Sequence, residues 1–266
     1  VTAAGPVHRV WDRRALVRAL VARELSARYR GGALGFLWSI LNPLLLLLVY
    51  ATVFRVVFEP RADVHPYALF LFGGVLVWGF ASSALLDAVE TFRINGPLLR
   101  NTTVAPEVFP AAAVGARLVH LGLALPVLAG AIVVVAVRGG IRPDAAVLQF
   151  PVILALLALL VFGLALGLSA LAVHFADVRD IVANLLTLLF FLTPVLYPVE
   201  AVPPRLRWLL RCNPFASFFR GIQDSLFFFR PVPGLDWLWM AGAAALALLA
   251  GGALFERLRD SLAEEA

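Results

Sequence analysis

Four ionisable residues stand at matching places in an otherwise apolar sequence. Arg117 and His120 lie three residues apart, as do Asp87 and Glu90, so on a helix each pair shares a face. Two chemistries fit such a set inside a membrane. His120 titrates near neutrality and could relay protons, or Arg117 could clamp one of the carboxylates on a neighbouring helix. The clamp is the favoured reading, because intramembrane charges are costly and are usually paired. Asp177 and Asp180 are the nearest approach to a carboxylate cluster, and Arg220 and Asp224 share a short apolar stretch. The histidines (His8, His65, His120, His174) fall on different segments, which argues against a metal centre. Neither a Ser-His-Asp arrangement nor a Gly-rich nucleotide loop is evident. The sequence has no lysine, which excludes a P-loop and Schiff-base chemistry. Its single Cys212 excludes an intramolecular disulfide and a Cys-based zinc cluster. No enzyme active site is expected, and no metal or cofactor on this chain; any ATP must be held by another chain.

These residues are embedded in a sequence of 266 residues that is 62% hydrophobic and only 15% charged, with a mean hydropathy of +0.91. A soluble fold of that composition would expose more apolar surface than water tolerates. Bilayer is the solvent that suits it. About 20 apolar residues cross the hydrocarbon core, and six stretches qualify or nearly so: 31–54, 66–86, 118–137, 145–173, 181–199 and 237–255. The expected fold is therefore an all-α membrane protein with six transmembrane helices. It divides into an N-terminal segment (1–32), a transmembrane domain (33–258) and a short tail (259–266). Arg9, Arg13, Arg14, Arg18, Arg23, Arg28 and Arg30 all precede the first span. By the positive-inside rule they place both termini in the cytoplasm. With no apolar core before Ala33, a cleavable signal peptide is not expected.

Between the spans lie three informative segments. Residues 10–30 read as an amphipathic interface helix, with Leu16, Val17, Leu20, Val21 and Leu25 on one face and Arg14 and Arg18 on the other. Residues 91–110 form a polar cytoplasmic loop, with a short helix expected between Gly96-Pro97 and Pro106 as a docking peg for a soluble partner. Residues 200–234 open after Thr193-Pro194 and Tyr197-Pro198, which interrupt the fifth helix. That stretch contains a short helix at 205–211 and an apolar run, 215–229, too short to span. It reads as a re-entrant outer segment at the rim of a path. Gly163 and Gly167 form a GxxxG pattern that fits either packing within the chain or a dimer seam. The aromatic residues of the spans are read first as lipid-facing anchors, although at mid-depth they could stack on sugar rings.

The order of short motifs resembles a known family. Residues 21–30 (VARELSARYR), 34–38 (LGFLW) and 41–44 (LNPL) are similar to the start of type-2 ABC exporter permeases for polysaccharides, which carry O-antigen, teichoic acid or galactan. Leu98-Leu99-Arg100 with 106–110 (PEVFP) resembles that family's cytoplasmic loop. Residues 175–180 (FADVRD), 192–198 (LTPVLYP), 207–210 (RWLL) and Asn213-Pro214 resemble its later loops. The stretch between Arg100 and Pro106 departs from the basic-aromatic run that the family often has there. The resemblance implies a permease subunit of an exporter for polyprenyl-pyrophosphate-linked glycan in the bacterial cytoplasmic membrane. It implies a homodimer clamped by two copies of an ABC ATPase, which binds the ATP and Mg. Phe92, Arg93, Leu98, Leu99, Arg100, Asp177 and Arg179 would meet that ATPase. Arg28 and Arg30 would meet the diphosphate, and Phe36, Trp38, Tyr50, Trp78, Phe190 and Tyr197 would line the sugar path. Membrane lipid is a further expected partner and nucleic acid is not. The alternatives are an exporter of a small drug or lipid, and a membrane-embedded glycosyl- or acyltransferase.

Overall fold

The structure, a computed structural model, describes residues 5–29, 35–56, 67–101 and 104–265. Among these residues all regular structure is helical. Ten α-helices follow in order: α1 (Pro6–Asp12), α2 (Arg14–Tyr29), α3 (Trp38–Val56), α4 (Tyr67–Asn101), α5 (Val108–Val137), α6 (Phe150–His174), α7 (Val178–Leu192), α8 (Arg207–Cys212), α9 (Ala216–Leu226) and α10 (Gly234–Glu265).

Four helical stretches are long and apolar enough to cross a membrane: Tyr67–Leu99, Val108–Val137, Ala145–His174 and Gly234–Arg259. The apolar stretch of α3, Trp38–Val53, is shorter. With 15 residues, α7 is about 22 Å long, against a hydrocarbon core of about 30 Å. It stops where expected: Thr193 is extended (φ −92°, ψ 140°), the conformation that a following proline imposes.

Helix ends differ from the sequence reading wherever an apolar span continues into polar residues. The second predicted span does not give way to a loop with a separate short helix; α4 runs unbroken through Gly96-Pro97 to Asn101. The physical reason lies at Gly96. A proline clashes with the Cβ of the residue before it, and glycine has none. Likewise α5 begins ten residues before the predicted start of the third span, and α10 continues ten beyond Phe255. These extensions pack against one another. Phe92, Leu99, Val108, Phe109, Phe255 and Leu262 form a buried cluster, and Leu20 of α2 closes it.

The main core lies farther along the bundle, among α4, α5, α6, α7, α9 and α10. Its closest approach is between α6 and α10. A Cβ on Gly163 would sit 2.5 Å from the backbone nitrogen of Leu248, and one on Gly167 would lie 3.2 Å from the Cα of Gly251. The GxxxG pair is thus an internal seam: with hydrogens for side chains, the two backbones touch. Buried almost throughout its 11 residues, α9 lies against α4, α6 and α10. On α3, Leu44, Leu45, Leu48 and Val49 remain exposed.

Candidate functional site

Three polar centres stand out against the apolar bundle. The first lies at the end where α1 and the last turns of α10 meet, here called the terminal end. One turn of α4 places Glu90 beside Arg93, 3.3 Å from Oε1 to Nη2. The turn between α6 and α7 brings Arg179 to the same Glu90 oxygen, and Arg179 also lies 3.7 Å from Asp180. Two segments far apart in sequence, each expected to meet a partner protein, are therefore joined through one carboxylate. Between them lies a groove of about 440 Å³ lined by Glu90, Arg93, His174, Ala176 and Arg179. Beside it the apolar side chains of Ile94 and Phe175 are exposed, 66% and 62%.

The expected docking residues divide by exposure. The Arg93 side chain is 77% exposed and that of Arg179 60%, Asp177 is exposed and Leu98 half-buried. Phe92 and Leu99, by contrast, are 1% and 5% exposed. Phe92 stacks edge-on against Phe109 at 6.1 Å, so it holds α4 to α5 and offers no surface to a partner. The side chain of Arg100 lies outside the described residues. Ile94 was missed because a lone apolar residue among polar neighbours gives no periodic signal.

The second centre ties the N-terminal helices to the bundle. Glu107, fully buried at the start of α5, accepts a hydrogen bond from Nε of Arg9, whose guanidinium also pairs with Glu256 of α10. Arg259 approaches the other Glu107 oxygen at 4.0 Å. Farther along α2, Arg23 donates to Asn95 of α4, while Leu16, Val17, Leu20 and Val21 pack on the cluster around Phe92. The amphipathic helix is real, but its apolar face covers protein. A little deeper, Arg117 binds Asp87 through two hydrogen bonds, one of 2.8 Å from Nη2 to Oδ1. This is the clamp favoured from the sequence, with Asp87 as its carboxylate; Glu90 serves the groove instead.

The third centre occupies the far end, around the broken segment after α7. Gln223 of α9 donates from Nε2 to the carbonyls of Pro194 and Tyr197, at 2.5 and 3.1 Å, and Asn213 donates to Thr193 Oγ1 at 2.8 Å. Gln223 thereby satisfies carbonyls that no helix satisfies, and Asn213 ties the chain after α8 to the end of α7. Arg230 donates to Asp224 and to Glu200, each at 2.6 Å, and Arg220 reaches Asp236 at 3.1 Å. Burial raises the Asp224 carboxyl above its ordinary range despite Arg230 and Arg220 beside it. Burial also acts against the Glu200 carboxylate, but there the hydrogen bond from Arg230, a backbone hydrogen bond and the charges of Arg230 and Arg220 together outweigh it and lower the carboxyl.

The aromatic residues expected on a sugar path are arranged differently. Trp78 is 7% exposed and meets Phe190, Phe215 and Phe219 at centroid distances of 5.8, 5.6 and 5.8 Å. Trp78 is a core hub that fastens α9 to α4, and within this chain it faces no opening. Phe190 is half-buried against it, whereas the neighbouring Phe191 is 61% exposed. Tyr50 packs beside Phe70 and Leu71, and the hydroxyl of Tyr197 donates to the Phe191 carbonyl at 2.9 Å. Trp38 is exposed at the start of α3. Arg30 lies outside the described residues, as do the side chains of Arg28 and Phe36.

Comparison with known proteins gives one consistent answer. Residues 15–227 match the family described as ABC-2 type transporter. The chain is 34% identical over 261 residues to the O-antigen export system permease protein RfbA of Myxococcus xanthus, covering 97% of this chain and 98% of that protein. A protein of the same description from Klebsiella pneumoniae is 27% identical over 94% of each chain. The polysialic acid transport protein KpsM of Escherichia coli is 22% identical over 92% of this chain and 94% of its own.

Proposed function

Because the chain belongs to the ABC-2 type transporter family, we propose that it is the permease subunit of an ATP-driven exporter. Its cargo is a lipid-linked (polyprenyl-pyrophosphate) polysaccharide crossing the bacterial cytoplasmic membrane. The observation that carries this reading is the likeness to an O-antigen export permease across 97% of this chain and 98% of that protein. The chain is a transport subunit and not an enzyme. ATP and Mg belong to a separate ABC ATPase.

In this reading α3, α4, α5, α6, α7 and α10 make six spans, the shorter α3 and α7 crossing with help from their neighbours. The segment holding α8 and α9 enters and leaves on the outer side. Its buried polar ties support that, since irregular backbone at membrane depth survives only inside protein. Both termini are cytoplasmic, so the terminal end faces the ATPase. Two chains form the exporter with two ATPase copies. The exposed apolar face of α3 is a surface that such a homodimer, or lipid, would cover.

The groove between α4 and the α6–α7 turn is then the coupling face. A partner seated over Arg93, Ile94, Phe175 and Arg179 would push on two helices at once, because Glu90 binds both arginines. The Arg9–Glu107–Glu256 tie would carry that displacement into α1 and α10. Closure of the ATPase dimer on ATP would thereby reach the lateral opening through which the glycan enters. The test is co-expression with the ABC ATPase encoded beside this chain, capture of the complex, and ATP turnover in lipid. Stable capture that is lost when Arg93 and Arg179 are both changed to Glu is the expected outcome. A chain that captures no ABC ATPase would sink the exporter reading.

A further inference from the structure

A cleft of about 860 Å³ separates the N-terminal helices from α6 and is open along one side. Its floor is apolar: Val7 and Trp11 of α1 face Leu159 and Phe162 of α6. Val7, Trp11 and Leu159 are 48%, 69% and 41% exposed, so large apolar side chains remain uncovered there. Leu159 and Phe162 belong to the stretch Ala145–His174, which is apolar enough to lie in the bilayer. The rim is cationic. Arg14 and Arg18 line it, and the Arg14 guanidinium sits 5.6 Å from the centre of the Trp11 ring. Arg18 makes no ion pair or hydrogen bond among the described residues. Asp12, between Trp11 and Arg14, is engaged by His8 at 3.0 Å.

We infer that this cleft binds one anionic phospholipid. Its phosphate would lie between Arg14 and Arg18, and its upper acyl chain along Leu159 and Phe162. Charge complementarity selects the occupant. A soluble anion would leave the apolar floor wet, and a neutral lipid would leave two arginines without a counter-charge. A lipid with a negative headgroup satisfies both, in the way arginine stems and heads divide at a membrane surface. The site goes beyond the exporter reading and rests only on α6 being in the bilayer. It gives α1 a lipid foundation on one side, while Arg9 anchors it to Glu107 on the other.

The test is native mass spectrometry of the full chain in detergent, titrated with phosphatidylglycerol or with phosphatidylcholine of the same acyl chains. The expected result is retention of one phosphatidylglycerol per chain, at least about fivefold preferred over phosphatidylcholine. The preference should disappear in Arg14→Gln/Arg18→Gln. It should survive in Arg207→Gln/Arg211→Gln, which removes equal charge from exposed residues of α8. Leu159→Trp narrows the cleft at the acyl-chain path without altering charge and should weaken retention of the lipid; it decides the matter should the double variant not fold. Equal retention of the two lipids would overturn the proposal, as would equal loss in both double variants. Displacement of phosphatidylglycerol by a lower concentration of farnesyl diphosphate would also overturn it, assigning the cleft to an isoprenoid diphosphate. None of these readouts involves transport or ATP, so their failure leaves the exporter reading standing.

Discussion

Glu90 holds two arginines from different segments, Arg93 one turn along α4 and Arg179 at the start of α7. Ion pairs this exposed are worth about 0.2–1 kcal/mol each, so their value lies in orientation. Glu90→Gln should weaken capture of the ATPase by no more than about fivefold, leaving expression unchanged, as a pull-down at graded ATPase concentration would read. Arg117 and Asp87 are a stricter case. Their side chains are 18% and 33% exposed, and losing one partner strands the other. Arg117→Ala should lower the melting temperature in detergent by several degrees, and Arg117→Asp with Asp87→Arg should recover part of it. A fully buried pair would cost about 3–5 kcal/mol, an upper bound here. This pair was legible in the sequence because two i, i+3 pairs of opposite charge flank adjacent spans. Glu107 was not. Its burial is made by Arg9, Glu256 and Arg259 from remote parts of the chain, and no local pattern announces that convergence. The packing of Trp78 was not legible for a related reason: an aromatic residue in an apolar span reads the same whether it faces lipid, a path or the core.

At the scale of elements, the hydrophobic stretches located the helices, and proline marked the end of α7 at Thr193. What hydropathy could not show was continuation. Polar residues such as Arg93 and Asn95 were taken for a loop, yet they lie on a helix: Asn95 is buried on the same face as Phe92 and Leu99, and Arg93 is exposed. Among the described glycines, Gly163 and Gly251 at the seam between α6 and α10 have the least room for a side chain. A side chain at Gly251 would collide with the carbonyl oxygen of Gly163, and backbone cannot rotate away as a side chain can. Gly251→Leu should therefore abolish most of the monodisperse protein recovered on size exclusion, exceeding the about 1–3 kcal/mol of ordinary overpacking. Gly242→Leu in the same helix, where an added Cβ meets nothing within 4 Å, should behave as wild type.

For the whole molecule, the chain's only cysteine reports its orientation. Cys212 is exposed at the end of α8, at the far end from α1. A membrane-impermeant maleimide should label it in intact cells from which the outer barrier has been removed. Labelling only after lysis would invert the topology and place the termini outside. The arrangement at the terminal end has a further consequence for biogenesis. Glu107 emerges from the ribosome long after Arg9, and Glu256 more than half a chain later again, yet all three meet in one contact around the buried Glu107. Until α10 is inserted, Arg9 and Glu107 have each other but lack Glu256 and Arg259. The first helix therefore gains its second anchor, and Glu107 its full cover, only when the last helix arrives.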